Sequence, residues 1–197
     1  MKTRLLALIV LFSCSLQAQE MKTILSGDVE ISGFGGFNLG LHSIDGATSV
    51  GFGGGGAMLV NQRFWIGGFG EGVPVNKSYS YETLNDGTRI IDLNMGYGGM
   101  WLGYKIRPNE VIHPQLDLRL GWGGMSAEDA QSGALFASTS IFVFNPNIGV
   151  EANITNVFRV QLSAGYRGVT GADFEFADSS DFTGFVANLG FVFGGFY

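Results

Sequence analysis

Cysteine, charge and long apolar runs are all scarce in this chain of 197 residues. The single cysteine, Cys14, lies within the first twenty residues, so a mature chain without that segment has no disulfide and no thiol chemistry. Charged residues make up 14% of the sequence and the formal net charge is −6, which argues against nucleic acid as a partner. No apolar run beyond the N-terminus reaches the length of a membrane-spanning helix, which needs about 20 residues.

The N-terminus has the pattern of an export signal. A short basic region is followed by an apolar run from Leu5 to Phe12 and then by a small residue, Ala18. We expect residues 1–19 to be a cleaved signal peptide and residues 20–197 to form one domain. The alternative is lipidation at Cys14, because the four residues that end there resemble the bacterial lipobox. Removal of the two bases in the signal takes the net charge from −6 to −8.

Glycine and phenylalanine are abundant, with 32 and 17 residues. So much glycine is typical of disordered chains, but those lack aromatic and apolar residues at the 46% hydrophobic content found here. An exported chain that is apolar, rich in glycine and free of membrane helices is best explained as a β-barrel.

Apolar and polar residues alternate with a period of two, most clearly from Phe158 to Arg167 and from Ile112 to Trp122. The alternating segments reach the ~9–11 residues that a tilted transmembrane strand requires. Short connections alternate with longer ones, the first longer one running from His42 to Thr48, as in outer-membrane barrels. The pattern predicts an all-β fold, an eight-stranded antiparallel up-and-down transmembrane β-barrel. Its strands begin near Glu30, Ser49, Arg63, Thr88, Ile112, Ser138, Phe158 and Phe182.

A soluble eight-stranded barrel such as a lipocalin is the competing architecture, and its apolar parity would face inward. In this sequence one parity holds most of the large apolar residues and the other holds most of the strand charges. An eight-stranded interior is too narrow for a large apolar ligand in addition to those charges. The apolar parity is therefore predicted to face lipid.

The C-terminal segment Leu189-Gly190-Phe191-Val192-Phe193-Gly194-Gly195-Phe196-Tyr197 resembles the end of the small outer-membrane β-barrel superfamily, which includes OmpX and the OmpA transmembrane domain. That resemblance implies that the barrel-assembly machinery recognises Phe191, Phe193 and Tyr197. It also implies an integral place in the cell outer membrane, among lipid and lipopolysaccharide. Because the predicted strand count is even, both termini are expected to be periplasmic.

The polar parity supplies candidates for a hydrogen-bonded network inside the barrel. Since buried charges must be paired, we expect mutual ion pairs. The expected members are Glu30, Asp92, Asp117, Arg119, Glu151, Arg159 and Arg167. A proton or ion path through this network is the functional alternative to a structural polar core.

We predict no catalytic residue, no metal site and no cofactor. His42 is expected to be a polar residue at the rim. Ser43 and Asp45 lie close to it in sequence, but they do not establish a catalytic triad, which is defined by spatial geometry. Aromatic residues near the strand ends are expected to form two girdles at the lipid headgroups. Those named for the girdles are Trp65, Trp101, Tyr104, Phe158 and Tyr197 at the turn side, and Tyr97, Trp122 and Tyr166 at the loop side.

The third and fourth strands are predicted to stand above the membrane as a hairpin, with a turn at Asn85-Asp86-Gly87. External residues predicted to contact a partner are Tyr79, Tyr81, Asp173, Glu175, Asp178 and Asp181. The partner could be an extracellular protein or surface ligand that adds a strand to the hairpin. The alternatives are a divalent cation held against lipopolysaccharide, or a solvated acidic loop set without a ligand.

Three classes of function follow for such a barrel. The first is a structural or surface-interaction protein with adhesive loops, the second a pore for small solutes, and the third a lipid-modifying enzyme. A filled interior weighs against the pore, and the lack of a convergent nucleophile and base weighs against the enzyme.

Overall fold

The computed structural model describes residues 29–83 and 87–196, in which eight strands close into an antiparallel barrel. The barrel strands are β1 (Ile31–Ile44), β2 (Ala47–Val60), β3 (Phe64–Thr83), β4 (Gly87–Lys105), β5 (Ile112–Asp129), β6 (Leu135–Asn153), β7 (Phe158–Thr170) and β10 (Gly184–Gly194). A small hairpin of β8 (Asp173–Phe174) and β9 (Ala177–Asp178) lies between β7 and β10. The predicted fold class is confirmed.

Each barrel strand pairs with the next along the chain, and β10 pairs with β1 to close the barrel. The described residues include no helix long and apolar enough to cross a membrane. The predicted signal peptide, Cys14 and Tyr197 lie outside the described residues.

An apolar belt covers the outside of the barrel. On β1 the side chains of Phe37, Leu39 and Leu41 are exposed, and they lie opposite Phe191, Leu189 and Ala187 of β10. Similar rows continue around the barrel on the parity predicted to face lipid. A soluble monomer does not expose a continuous apolar surface of this kind, whereas a bilayer requires one. The belt therefore marks the membrane-spanning part.

The two ends of the barrel differ. At one end, here called the turn end, short connections around Asn61, Arg107 and Thr155 join the strands. At the other, the loop end, the predicted loop from His42 to Thr48 is instead a two-residue turn. Asp45 and Gly46 have φ angles of 45° and 75°, which is the left-handed geometry of a type I′ hairpin turn. The prediction was wrong because β1 and β2 continue through the polar residues around that turn.

Four strands, β3 to β6, extend well past the belt at the loop end. After an irregularity between Pro74 and Ser78, β3 and β4 pair again as far as Thr83 and Gly87. The predicted protruding hairpin is confirmed, although Asn85 and Asp86 of its turn lie outside the described residues. The barrel thus carries a four-stranded sheet on one side of its loop end, and we call it the protruding sheet.

Candidate functional site

The polar core of the turn-end half is built around Glu151 on β6. Its carboxylate accepts hydrogen bonds from Lys105 Nζ at 2.7 Å and Arg159 Nη1 at 2.8 Å. Gln161 Nε2 donates a third bond at 2.7 Å, and His113 Nε2 lies 3.1 Å from the same carboxylate. All of these side chains are buried. Because a buried carboxylate must be paired and hydrogen-bonded, these four partners stabilise its ionised form.

Aromatic rings close the barrel between this cluster and the turn end. Lys105 Nζ lies 5.2 Å from the centre of the Phe34 ring, 5.6 Å from Trp65 and 5.3 Å from Phe196. The Arg159 guanidinium lies 3.7 Å from the centre of the Phe196 ring. These cation–π contacts surround the two cations with ring faces. The turn end is therefore sealed by packed rings rather than open to solvent.

A second polar layer lies nearer the loop end, around Glu71 on β3. Its carboxylate lies 2.8 Å from His42 Nε2 and 3.5 Å from Arg119 Nη1. Arg119 Nε lies 3.4 Å from Asp117 on the same strand. Arg167 Nη1 in turn donates to His42 Nδ1 at 2.8 Å. The layer links β1, β3, β5 and β7 across the interior.

Between the two layers lies a cavity of about 20 Å³, with Asn38, Asn188, Gln161 and Arg119 in its lining. A space of this size holds about one water molecule. Asn188 is buried, and both polar atoms of its side chain lack a protein partner. The interior is thus filled by side chains, as expected for eight strands.

The interior turns apolar toward the loop end, which the sequence analysis did not predict. Inward-facing side chains of β3, β4 and β6, among them Val73, Ile91 and Val143, form one buried cluster. The connection between β7 and β10 contributes Ala172, Ala177 and Phe182 to it. This connection, residues 171–183, folds over the barrel mouth, and we call it the lid.

Five of the seven side chains predicted for the interior network are buried there: Asp117, Arg119, Glu151, Arg159 and Arg167. The prediction was wrong for Glu30 and Asp92, which are both exposed. Glu30 precedes β1 at the turn-end rim, where its carboxylate accepts a bond from Gln62 Nε2 at 3.2 Å. Asp92 has the outward parity of β4 beyond the belt, where the outer face meets water instead of lipid.

Sequence reasoning also missed interior residues. Glu71 and Lys105 are buried at the centres of the two layers, and His42 is fully buried instead of lying at the rim. Strand parity is the signal that could have found Glu71, since it has the same parity on β3 as Trp65 and Val73, which are also buried. Lys105 is harder to find by parity, because it is the last residue of β4 and the chain turns directly after it.

The predicted aromatic girdles are only partly present. Tyr104, Trp122 and Tyr166 are exposed on the outer surface as predicted. Trp65, Trp101 and Tyr97 face inward and are buried, so the prediction was wrong for these three. Glycine on neighbouring strands leaves room for them: a Cβ atom on Gly103 would lie 2.0 Å from the Trp65 ring.

Two of the three residues named for assembly, Phe191 and Phe193, lie on the last strand, and Tyr197 lies outside the described residues. Phe191 stacks on Phe37 with ring centres 5.1 Å apart, and Phe193 stacks on Phe158 at 4.9 Å. These rings form an outward-facing aromatic cluster at the seam where β10 meets its neighbours. Recognition by the assembly machinery stays a prediction.

The loop-end residues predicted to contact a partner fall into two groups. Tyr79 is buried under the lid, 5.7 Å from the Phe176 ring, so its predicted exposure was wrong. Tyr81 is half-buried, and its hydroxyl donates to the Glu175 carboxylate, which raises the pKa of that hydroxyl. Two exposed apolar side chains, Leu135 and Phe136, stand beside this contact on β6.

The four acidic residues of the lid differ in exposure and in hydrogen bonding. Asp173 and Glu175 are exposed. Asp178 accepts bonds from the Ser180 backbone N–H at 2.7 Å and from its hydroxyl at 2.6 Å. Those bonds hold the pKa of the Asp178 carboxyl below its ordinary value. Asp181 accepts from the Asp178 N–H at 3.0 Å, so this pair stabilises a tight turn within the lid. In the described ranges no three His, Cys, Asp or Glu residues are grouped so as to hold a metal ion.

The sequence matches no family model and no curated protein. Among solved structures, the barrel is similar to Neisserial surface protein A (NspA), with a TM-score of 0.57 and 14% identity over 87% of this chain and 100% of that one. Ail of Yersinia pestis gives a TM-score of 0.46 and 18% identity over 85% of this chain and 97% of its own. OprG of Pseudomonas aeruginosa gives 0.43 and 13% over 85% and 96%. The likeness to NspA shows the fold alone, a closed antiparallel barrel of eight strands.

Proposed function

We propose that this protein is an integral barrel of the outer membrane that presents the protruding sheet as an interaction surface, with both termini in the periplasm. The apolar belt supports the membrane location, and the short turns support a periplasmic turn end, because outer-membrane barrels carry their longer loops outside. The observation that carries the proposal is the protruding sheet itself, which the barrel does not need in order to close. The proposed role is binding rather than catalysis.

The filled interior favours this role over that of a pore. Packed rings close the turn end, two polar layers cross the middle, and the lid with its apolar cluster closes the loop end. A solute would have to displace buried side chains at each of these levels. Permeation would therefore require large rearrangements.

The chemistry of the loop end indicates what kind of partner it suits. Leu135 and Phe136 supply exposed apolar side chains, and the Phe136 ring lies 5.3 Å from the ring of Tyr81, whose hydroxyl bonds the Glu175 carboxylate. Acids outnumber bases among the described loop-end residues: Asp45, Asp92, Glu128, Asp129, Asp173, Glu175, Asp178 and Asp181 against Lys77 and Arg89. Electrostatic complementarity therefore favours an extracellular partner with a basic surface.

The test compares attachment of bacteria that display the barrel to surfaces coated with basic proteins. In one variant, residues 76–92 are replaced by Asn-Gly, so that the pair Pro74 and Asn94 becomes the end of a short hairpin. A second variant keeps the sheet but carries Leu135→Ser and Phe136→Ser. Val111→Ser is the matched control, because Val111 is also an exposed apolar residue but lies at the turn end.

We expect both loop-end variants to fold and to lose attachment, while Val111→Ser attaches like the wild type. Attachment should also weaken as salt is raised, since exposed charges are screened. Unchanged attachment of both loop-end variants would contradict the proposal. If the variant with Leu135→Ser and Phe136→Ser still attaches and the deletion variant does not, the partner binds the sheet rather than these two apolar side chains.

A further inference from the structure

The lid is fastened to the barrel at a small number of points. The Asp45 backbone N–H donates to the Asp181 carbonyl at 2.8 Å, and the Val169 N–H donates to the Thr183 hydroxyl at 3.0 Å. The ring of Phe182 is fully buried in the apolar cluster below. Its backbone carbonyl faces the second polar layer, and that contact joins the lid to the charged interior.

Arg167 on β7 makes this contact. Its Nε and Nη2 donate to the Phe182 carbonyl at 3.1 and 2.9 Å, while Nη1 donates to His42 Nδ1 at 2.8 Å. The guanidinium is fully buried. A guanidinium is planar and rigid, so the bond to the imidazole fixes the plane in which the other two N–H groups reach the lid. His42 therefore positions Arg167 for its two hydrogen bonds to the Phe182 carbonyl.

The protonation state of His42 follows from its neighbours. Arginine has only donors, so Nδ1 must be the bare acceptor nitrogen, and Nε2 carries the hydrogen that faces Glu71 at 2.8 Å. Glycine leaves room for this imidazole, because a Cβ atom on Gly40 or Gly51 would come within 2.4 or 2.6 Å of its Nε2. The neutral imidazole thus bridges a carboxylate and a guanidinium.

We propose that His42, Arg167 and Phe182 form a proton-sensitive latch that holds the lid closed. A proton that binds at Nδ1 occupies the lone pair that Arg167 uses, so two N–H donors then face each other. It also places an imidazolium directly beside a buried guanidinium, and like charges repel strongly in such surroundings. Arg167 must then turn away, and the Phe182 carbonyl loses its two bonds. Mildly acidic conditions release the lid, and neutral conditions close it.

The charged and titratable groups around His42 come from four strands. Glu71 on β3 and Arg167 on β7 contact the imidazole, Arg119 on β5 contacts Glu71, and Tyr97 on β4 lies beside Glu71 and Arg167. Histidine side chains in general change charge between about pH 5 and 8, and carboxyl groups in general do so at lower pH. The Asp178 carboxyl has a lowered pKa and stays ionised when the latch opens. The latch does not depend on the proposed partner, because lid release can be measured without one.

The second buried histidine supplies a matched control. His113 lies in the turn-end cluster, beside Glu151 and away from the lid. Amide hydrogen exchange of the refolded barrel in detergent micelles is followed by NMR at Asp45 and Val169, whose N–H groups bond the lid. Protection factors, corrected for the intrinsic pH effect, are compared at about pH 7.5 and about pH 5.5, on either side of the histidine range.

In the wild type and in His113→Gln, protection at both amides should fall by about tenfold or more at the lower pH. A tenfold change in the opening equilibrium is what the uptake of one proton produces over one pH unit. His42→Gln should abolish that change, since glutamine offers an acceptor and a donor but does not titrate. Arg167→Lys should show low protection at both pH values. If His42→Gln does not fold, the wild type, His113→Gln and Arg167→Lys still decide the matter. Equal protection in the wild type at both pH values, or loss of the response in His113→Gln alone, would overturn the latch.

Discussion

Glu151 is the residue on which the turn-end half of the interior most depends. Its replacement by glutamine would leave Lys105 and Arg159 buried without a counter-charge. Breaking a buried ion pair in this way lowers the free energy of unfolding by on the order of 3–5 kcal/mol. We expect the Glu151→Gln barrel to unfold at clearly lower urea concentration in lipid vesicles. Glu110→Gln is the control, because Glu110 is exposed on a turn and should change stability by no more than about 0.5 kcal/mol. Equal midpoints for the two variants would contradict this account of the cluster.

Replacing a glycine by alanine should affect stability differently on the inner and outer faces of a strand, and two substitutions test this. A Cβ atom on Gly103 would clash with the buried Trp65 ring, so Gly103→Ala should cost about 1–3 kcal/mol, as overpacking does. Gly70 faces outward, with nothing within 4 Å of an added Cβ. Gly70→Ala should therefore be neutral or slightly stabilising, because glycine weakens strands. Urea unfolding of both variants measures the contrast, and a destabilised Gly70→Ala would count against the outward assignment.

At the scale of an element, the turn inside the lid should respond to acid separately from the latch. The bonds from Ser180 hold the Asp178 carboxyl below its ordinary pKa of 3.8. A depressed pKa in the folded state contributes stability above the unfolded value, and that stability is lost as the pH falls through the folded value. The turn should therefore loosen only below the ordinary aspartate range. Carboxyl chemical shifts of Asp178 across an acid titration measure this.

Ser180→Ala is the matching variant for that titration. It removes the hydroxyl donor and leaves the backbone N–H, so the Asp178 pKa should rise toward its ordinary value without reaching it. An unchanged titration of Asp178 in Ser180→Ala would show that the hydroxyl does not stabilise the turn.

At the scale of the whole molecule, the barrel should conduct no steady current. The space between its polar layers is about 20 Å³, and rings or the lid close both ends. In a planar bilayer at neutral pH we expect a flat baseline after insertion, checked against a larger pore-forming barrel in the same membrane. Insertion itself can be verified by the different gel mobility of boiled and unboiled samples. A stable ohmic current from the wild type would contradict the plugged interior.

The sequence by itself determined the barrel, because alternation with a period of two places each residue on one of two faces. Leu118 and Leu162, for example, must lie on the face opposite Asp117 and Gln161 once the strands form. The same rule put five of the predicted network residues inside. Beyond the belt, the polarity of a strand residue no longer indicates which face it lies on. The outer face meets water there, so a charged residue such as Asp92 can lie outside.

Tertiary structure alone decided which interior groups meet. Parity cannot say that His42 of β1 faces Glu71 of β3 and Arg167 of β7, because those contacts depend on strand stagger around a closed barrel. Nor could it show that Trp65 and Trp101 turn inward, where they contact each other at 5.8 Å. The path of the lid was likewise undetermined, since a connecting segment has no repeating pattern. Its position follows from burying Phe182 in an apolar mouth that exists only after the strands have closed.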